Sequence, residues 1–361
     1  MRLFPPRPQG IKGRTAELAT LARTIEEAAP TRLALVGGGG SGKSLLAAEL
    51  AHRLSRRFGG RLDWFRVGAW DHRTLLEMLA LRWGLPRDRK VVVGALRAHL
   101  RKTERLVVLD NHEDDAATAT LLDALSGTRA TFVLTARRCL LSGVLLFPVT
   151  PPLVTAQEVA FPRVASLTRR LRWNPLALDI ADAIVGAKSA TVAELEAALV
   201  AGGIDDVRVI EHEDDLPEVA LLLGWAWGRL SAEGQRMLGV LAHVEGDHVD
   251  AESLATLAGV RGARARDAAI RAVARWHLVQ EAMPGRYTLH AVVRHAVKKR
   301  TTADPARVFE HYVGLLEASP ARVVAEQTHL FAAMDHAHRT SDLDGLLRVE
   351  RLLARLDRPK R

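Results

Sequence analysis

Residues 33–46, LALVGGGGSGKSLL, constrain the fold more than any other stretch of the chain. An apolar run that ends in four consecutive glycines cannot continue as strand or helix, because glycine weakens both. The leucines that follow return at helical spacing, so the stretch reads as strand, loop, helix. The spacing G-x-x-x-x-G-K-[ST] is met by Gly37, Gly42, Lys43 and Ser44. Glycines let backbone N–H groups turn inward at a helix N-terminus, where the helix dipole favours an anion. In that geometry Lys43 reaches the β- and γ-phosphates of a nucleotide and the Ser44 hydroxyl binds Mg²⁺. Gly37, Gly40, Ser41, Gly42, Lys43, Ser44 and Leu45 are therefore the expected phosphate contacts. A chance match at this composition is on the order of one in a hundred, and the flanking strand and helix lower it further.

Strand and helix signals alternate up to about residue 150. Apolar strands are predicted at 33–36, 62–67, 106–109, 131–135 and 144–149, with helices at 15–29 and 42–58. The run 106–109 is wholly apolar and so reads as central. The expected fold class is an α/β nucleotide-binding domain, a parallel sheet with helices on both faces. Beyond it the strand signals cease. A helical domain is predicted at 151–205, an acidic linker at 206–218 and a unit of helices plus a Pro-Gly hairpin, a winged-helix outline, at 219–300. Residues 301–361 read as further helices. The single cysteine, Cys139, excludes an internal disulfide and a cysteine-based zinc site. The amino terminus MRLFPPRPQG has no apolar signal region, and no apolar stretch reaches the roughly 18 residues that span a bilayer. A cytoplasmic protein without a membrane partner is expected.

A P-loop needs an acid at the end of a neighbouring strand to hold its metal, and RLVVLDNHEDD supplies Asp110. Glu113 in the loop that follows is a candidate base for a water, although a polar loop is the plainer reading. TFVLTARR places Arg137 at the same carboxyl edge, where ligands of open parallel sheets bind. A surface arginine is its plain alternative. The net charge of +9 is concentrated at 261–300, where ten Lys or Arg face two acids. Such a face suits nucleic acid or an acidic protein surface, or is simply a solvated set of arginine-rich helices.

In order, GGGGSGKS, LVVLDN, LTARR, RWNPLALDIA and YTLHAVVRHA resemble the core of the STAND ATPases of the NB-ARC type, over residues 11 to about 300. The resemblance implies that IKGR near the amino terminus contacts the adenine and ribose, through Ile11 and Arg14. It implies that Pro175 packs on the base and that His290 contacts the β-phosphate of ADP. The family usually has glycine at the position of Trp173 and aspartate at that of Ala291. It implies an ATP/ADP- and Mg²⁺-dependent switch with slow hydrolysis, closed with ADP and opening or oligomerising with ATP. About thirty residues precede the first strand and about sixty follow the hairpin unit, so either the sequence is a piece of a longer chain or sensor and effector are on separate proteins, in a homo-oligomer or hetero-complex. The alternative is an AAA+-like initiator or transcription-regulator ATPase that binds DNA through the basic winged helix. A small-molecule kinase lacks any accompanying acceptor signature.

Overall fold

The computed structural model describes residues 4–8, 11, 14–28, 30–68, 70–150, 161–204, 216–246 and 248–356. The expected linker 206–218 lies outside the described residues, except for 216–218.

Five parallel strands form the first sheet, in the order β2-β3-β4-β1-β5. They are β1 (Arg32–Val36), β2 (Leu62–Gly68), β3 (Arg105–His112), β4 (Ala130–Ala136) and β5 (Leu145–Pro148). Alternate residues sort the strands onto two faces, as the period of two requires. Leu33, Leu35, Leu106, Val108 and Val133 pack under α1 (Thr15–Ala28) and α2 (Lys43–Arg53). Ala34, Val107, Leu109, Phe132 and Leu134 face the opposite side, under α3 (His72–Arg82), α4 (Val92–Lys102) and α5 (Asp115–Ala124). Both faces are covered, which explains the unbroken apolar runs of the inner strands. Two boundaries differ from expectation by more than two residues. The helix after the glycine loop ends at Arg53, and turns carry the chain to the buried Phe58. The third strand runs to His112 rather than 109, so Asp110 lies within a strand.

A 3₁₀ turn (Pro162–Leu167), α6 (Pro175–Gly186) and α7 (Val192–Ala201) form a small helical unit. Next come α8 (Pro217–Trp227), α9 (Ala232–His243), β6 (Val249–Asp250), α10 (Ala251–Ala258), α11 (Ala263–Ala274), β7 (Gln280–Met283), β8 (Arg286–Thr288) and α12 (Ala291–Lys298). Helices α9 to α11 closed by the antiparallel sheet β6-β8-β7 make a winged helix. One continuous apolar core joins the two units, from Leu178 and Ile184 through Leu223 to Trp276 and Val293. Finally α13 (Pro305–Ala318), α14 (Gln327–Thr340) and α15 (Leu343–Leu356) fold back onto the first sheet's helices. Val313, Leu330, Phe331 and Val349 share a buried cluster with Leu75, Leu79 and Leu96. Arg87 caps this seam by donating to the Leu353 carbonyl at 2.7 Å. Among the described residues, no helix is long and apolar enough to cross a membrane.

Candidate nucleotide-binding site

The glycine loop occupies the carboxyl edge of β1, where its backbone needs conformations that side chains resist. Gly40 and Gly42 have φ of 74° and 89°, in the left-handed region, and Gly42 is the cap from which α2 starts. Gly37 has a different constraint. A Cβ there would collide with the Val149 carbonyl, so this glycine lets β5 close against the loop. It does not line the cleft described below. Gly40 also admits the helical unit, since a Cβ would lie 2.9 Å from Asn174 Oδ1.

At the loop's end Lys43 Nζ donates to the carbonyls of Gly37 and Gly38, both at 2.8 Å. Ser44 Oγ donates to Asp110 Oδ1 at 2.6 Å. The hydroxyl and carboxylate expected to share a metal are therefore adjacent, although they come from different elements. Thr135 Oγ1 donates to the same Asp110 oxygen at 2.6 Å and accepts from the Asn111 amide at 2.9 Å. Thr135 is 1% exposed and fixes the carboxylate from the neighbouring strand. Sequence alone does not mark it, because threonine in an apolar strand reads as a β-former. Asn111 turns out of the ladder with φ 59°, and its side-chain Nδ2 donates to Glu113 Oε1 at 2.6 Å.

Arg14 is 5% exposed and clamps the loop from behind, donating to the carbonyls of Ser41 at 2.7 Å and Thr150 at 2.8 Å. These bonds commit two of its donors to backbone. Pro175 is the first residue of α6, whose N-cap Asn174 accepts from Leu176 and Ala177 amides at 3.0 and 3.1 Å. His290 caps α12, its Nδ1 accepting from the Val292 amide at 3.3 Å. Trp173 has φ 56° and Arg172 φ 52°, so the approach to Pro175 is a left-handed turn that glycine would make without strain. Ala291 begins α12 with no acid in its first turn.

A single cleft of about 1150 Å³ collects these groups. Ile11, Arg14, Gly40, Ser41, Gly42, Lys43, Ser44, Leu45, Asp110, Glu113, Arg137, Pro175 and His290 all line it. Trp64 and Phe161 add aromatic wall, and Arg66, His248 and His277 add polar groups that the sequence reading did not single out. The three units meet across it. Arg66 donates to Thr288 Oγ1 at 3.2 Å, and His277 Nδ1 meets Asp179 Oδ2 at 2.8 Å. The volume suits a nucleotide, which takes a few hundred Å³. Among the described residues no group of three or more His, Cys, Asp or Glu could hold a metal unaided. Ser44 and Asp110 supply two oxygens, which fits Mg²⁺, an ion that completes its shell with phosphates and water.

The basic stretch is smaller at the surface than by charge count. Arg286 is 4% exposed, and Arg294 spends its Nη1 on the Ala242 and Val244 carbonyls at 3.1 and 2.8 Å. Arg261, Arg264, Arg271 and Arg275 are exposed, whereas Arg266 is held by Glu252 and Asp267.

No protein-family model matches the chain. The regulatory protein AfsR of Streptomyces griseus is 27% identical over 324 residues, covering 82% of this chain and 33% of that protein. The chain thus spans about a third of the length of the curated relative it matches. Among solved structures, Cdc6p from Pyrobaculum aerophilum is 12% identical with a TM-score of 0.42, over 82% of this chain and 97% of that one. The Aeropyrum pernix ORC1 protein in complex with DNA is 15% identical with a TM-score of 0.39, over 81% and 94%. At these TM-scores the structural likenesses carry no argument. The chain joins a parallel sheet to a strand–glycine loop–helix unit, and it is similar along most of its length to part of a regulatory protein.

Proposed function

We propose that the chain is a nucleotide-dependent regulatory protein in which ATP or ADP, with Mg²⁺, sits between the P-loop, the helical unit and the winged helix. The observation that carries this reading is the shared cleft: Lys43, Pro175 and His290 come from three units and line one cavity. A ligand that touches all three favours their closed arrangement by its differential affinity for it. In this reading Arg137 senses the γ-phosphate and Asp110 and Ser44 hold the metal. Of the two functions weighed from sequence, the transcription-regulator alternative gains more from the comparisons, since the relative is named a regulatory protein. The test is sedimentation with ADP against ATP. The expected result is a compact species with ADP and a more extended or larger one with ATP. The same profile with both nucleotides, alongside brisk turnover, would sink the switch.

A second reading, contact with duplex DNA, has its own observation. Arg264, Arg271 and Arg275 are exposed and fall at i, i+7 and i+11, one side of α11, the third helix of the winged helix. Such a stripe meets phosphates and releases counterions, at about 0.9 in the slope of log K on log salt per phosphate. Reversing all three to glutamate should flatten that slope by about three and lower affinity for random-sequence duplex roughly 100-fold or more. Fluorescence anisotropy across a salt series reads both, and an unchanged slope would dismiss this face as a DNA contact.

A further inference from the structure

Between the winged helix and the C-terminal helices lies a group of buried polar side chains that the cleft chemistry does not use. Glu326 is fully buried and paired tightly with Arg286. Arg322 bridges Glu326 at 2.9 Å and Asp250 at 2.8 Å. Arg286 Nε also donates to His248 Nδ1 at 2.8 Å, and His329 Nε2 donates to the His248 carbonyl at 2.7 Å. The Tyr312 ring stacks on His329 with centroids 3.8 Å apart. A Cβ on Gly246 would run into the His329 ring, so the backbone is bare where it passes. Buried ion pairs of this kind rarely add stability over an apolar core, because desolvation offsets their attraction. In some proteins such pairs make one arrangement of two elements distinct from others.

One edge of this network is on the nucleotide cleft, which His248 lines. Arginine only donates, so the Nδ1 that faces Arg286 is an acceptor and the ring proton is on Nε2. In the antiparallel β6–β8 pair Val249 faces Tyr287 and Asp250 faces Arg286, which sets His248 opposite Thr288. Thr288 accepts from Arg66, and the register partner of Arg66 on β3 is Asp110. Strand register and hydrogen bonds thus place Arg66, Thr288, His248 and Arg286 in succession between the metal-side acid and Glu326.

We propose that the Arg286–Glu326–Arg322 network is a latch on the C-terminal helices, and that His248 Nε2–H, donating to an oxygen of the bound nucleotide, ties its closure to nucleotide binding. The proposal rests on the nucleotide reading of the cleft. Coupling is reciprocal: whatever factor ADP adds to latch closure, an intact latch adds to ADP affinity, typically about 5- to 150-fold. The experiment pairs a titration of fluorescent ADP with amide hydrogen exchange over 327–340. In the wild type ADP should slow exchange in this segment. Glu326→Gln should quicken it without ADP and weaken ADP binding by at least ~5-fold. His248→Phe should weaken ADP binding about 10-fold and abolish the protection at 327–340. Affinity within twofold of wild type in either variant, with exchange at 327–340 altered, would make the network merely structural. If Glu326→Gln does not fold, wild type and His248→Phe still decide the matter. Binding of ADP by wild type with no change at 327–340 overturns this proposal alone. No binding at all overturns the nucleotide reading and the latch with it.

Discussion

Lys43→Ala should weaken the binding of both ATP and ADP about 100-fold or more, a loss of roughly 3 kcal/mol. The ammonium is held over the loop by the Gly37 and Gly38 carbonyls, in the cleft that also holds Ser44 and Asp110. A charge-assisted bond to a phosphate is about twice as strong as a neutral one, and alanine leaves no donor to replace it. The fold should survive, since the side chain packs into no buried cluster and the turn depends on Gly40 and Gly42. Calorimetric titration of each nucleotide, with circular dichroism to verify folding, reads the two effects separately. A folded variant that keeps affinity within tenfold would remove the P-loop from the proposed chemistry.

The buried network sets the second large effect, an acid limit on stability. Burial pushes the His329 imidazole down to about 4 from its ordinary 6.5. Burial, with the charge of Arg286, holds His248 well below the usual histidine value. Burial alone would raise Glu326, but the hydrogen bond and charge of Arg286 outweigh it and hold this carboxyl below the ordinary range. The signs agree. Between pH 6.5 and 4 the unfolded chain binds a proton at His329 that the folded one refuses, so stability present above 6.5 is lost as pH falls. Glu326 adds stability above its unfolded value that is lost through its lower folded one. His329 alone should remove roughly 2–3 kcal/mol between pH 7.5 and 4.5. Urea unfolding at the two pH values measures it. His329→Gln, which keeps an N–H for the His248 carbonyl, should lose that share of the slope. Parallel curves for variant and wild type would place the acid sensitivity elsewhere.

What could be read from sequence was local. The glycine loop announced itself because four glycines before a Lys-Ser pair serve few purposes other than a turned backbone. Asp110 was legible as the first acid after an apolar run, although the strand continues past it to His112. Long-range packing left no such mark. Gly37 counted as a phosphate contact by motif, yet its constraint comes from Val149, over a hundred residues away. Arg286 counted as surface charge, because a tally of basic residues carries no information on burial, and its partner Glu326 is forty residues along the chain. The left-handed turn at Arg172 and Trp173 was visible only as an odd residue where glycine was expected.

The return of the last helices has a consequence for any motion. The C-terminal helices rest on the first sheet's helices at Leu330 and Phe331 and join the winged helix through Arg286 and Glu326. The chain is therefore a closed circuit with two joints, one across the cleft and one along the C-terminal seam. In an open chain of units each hinge swings by itself. In a circuit neither joint can swing far until the other yields, so under the proposed nucleotide reading the two joints would open together rather than one at a time.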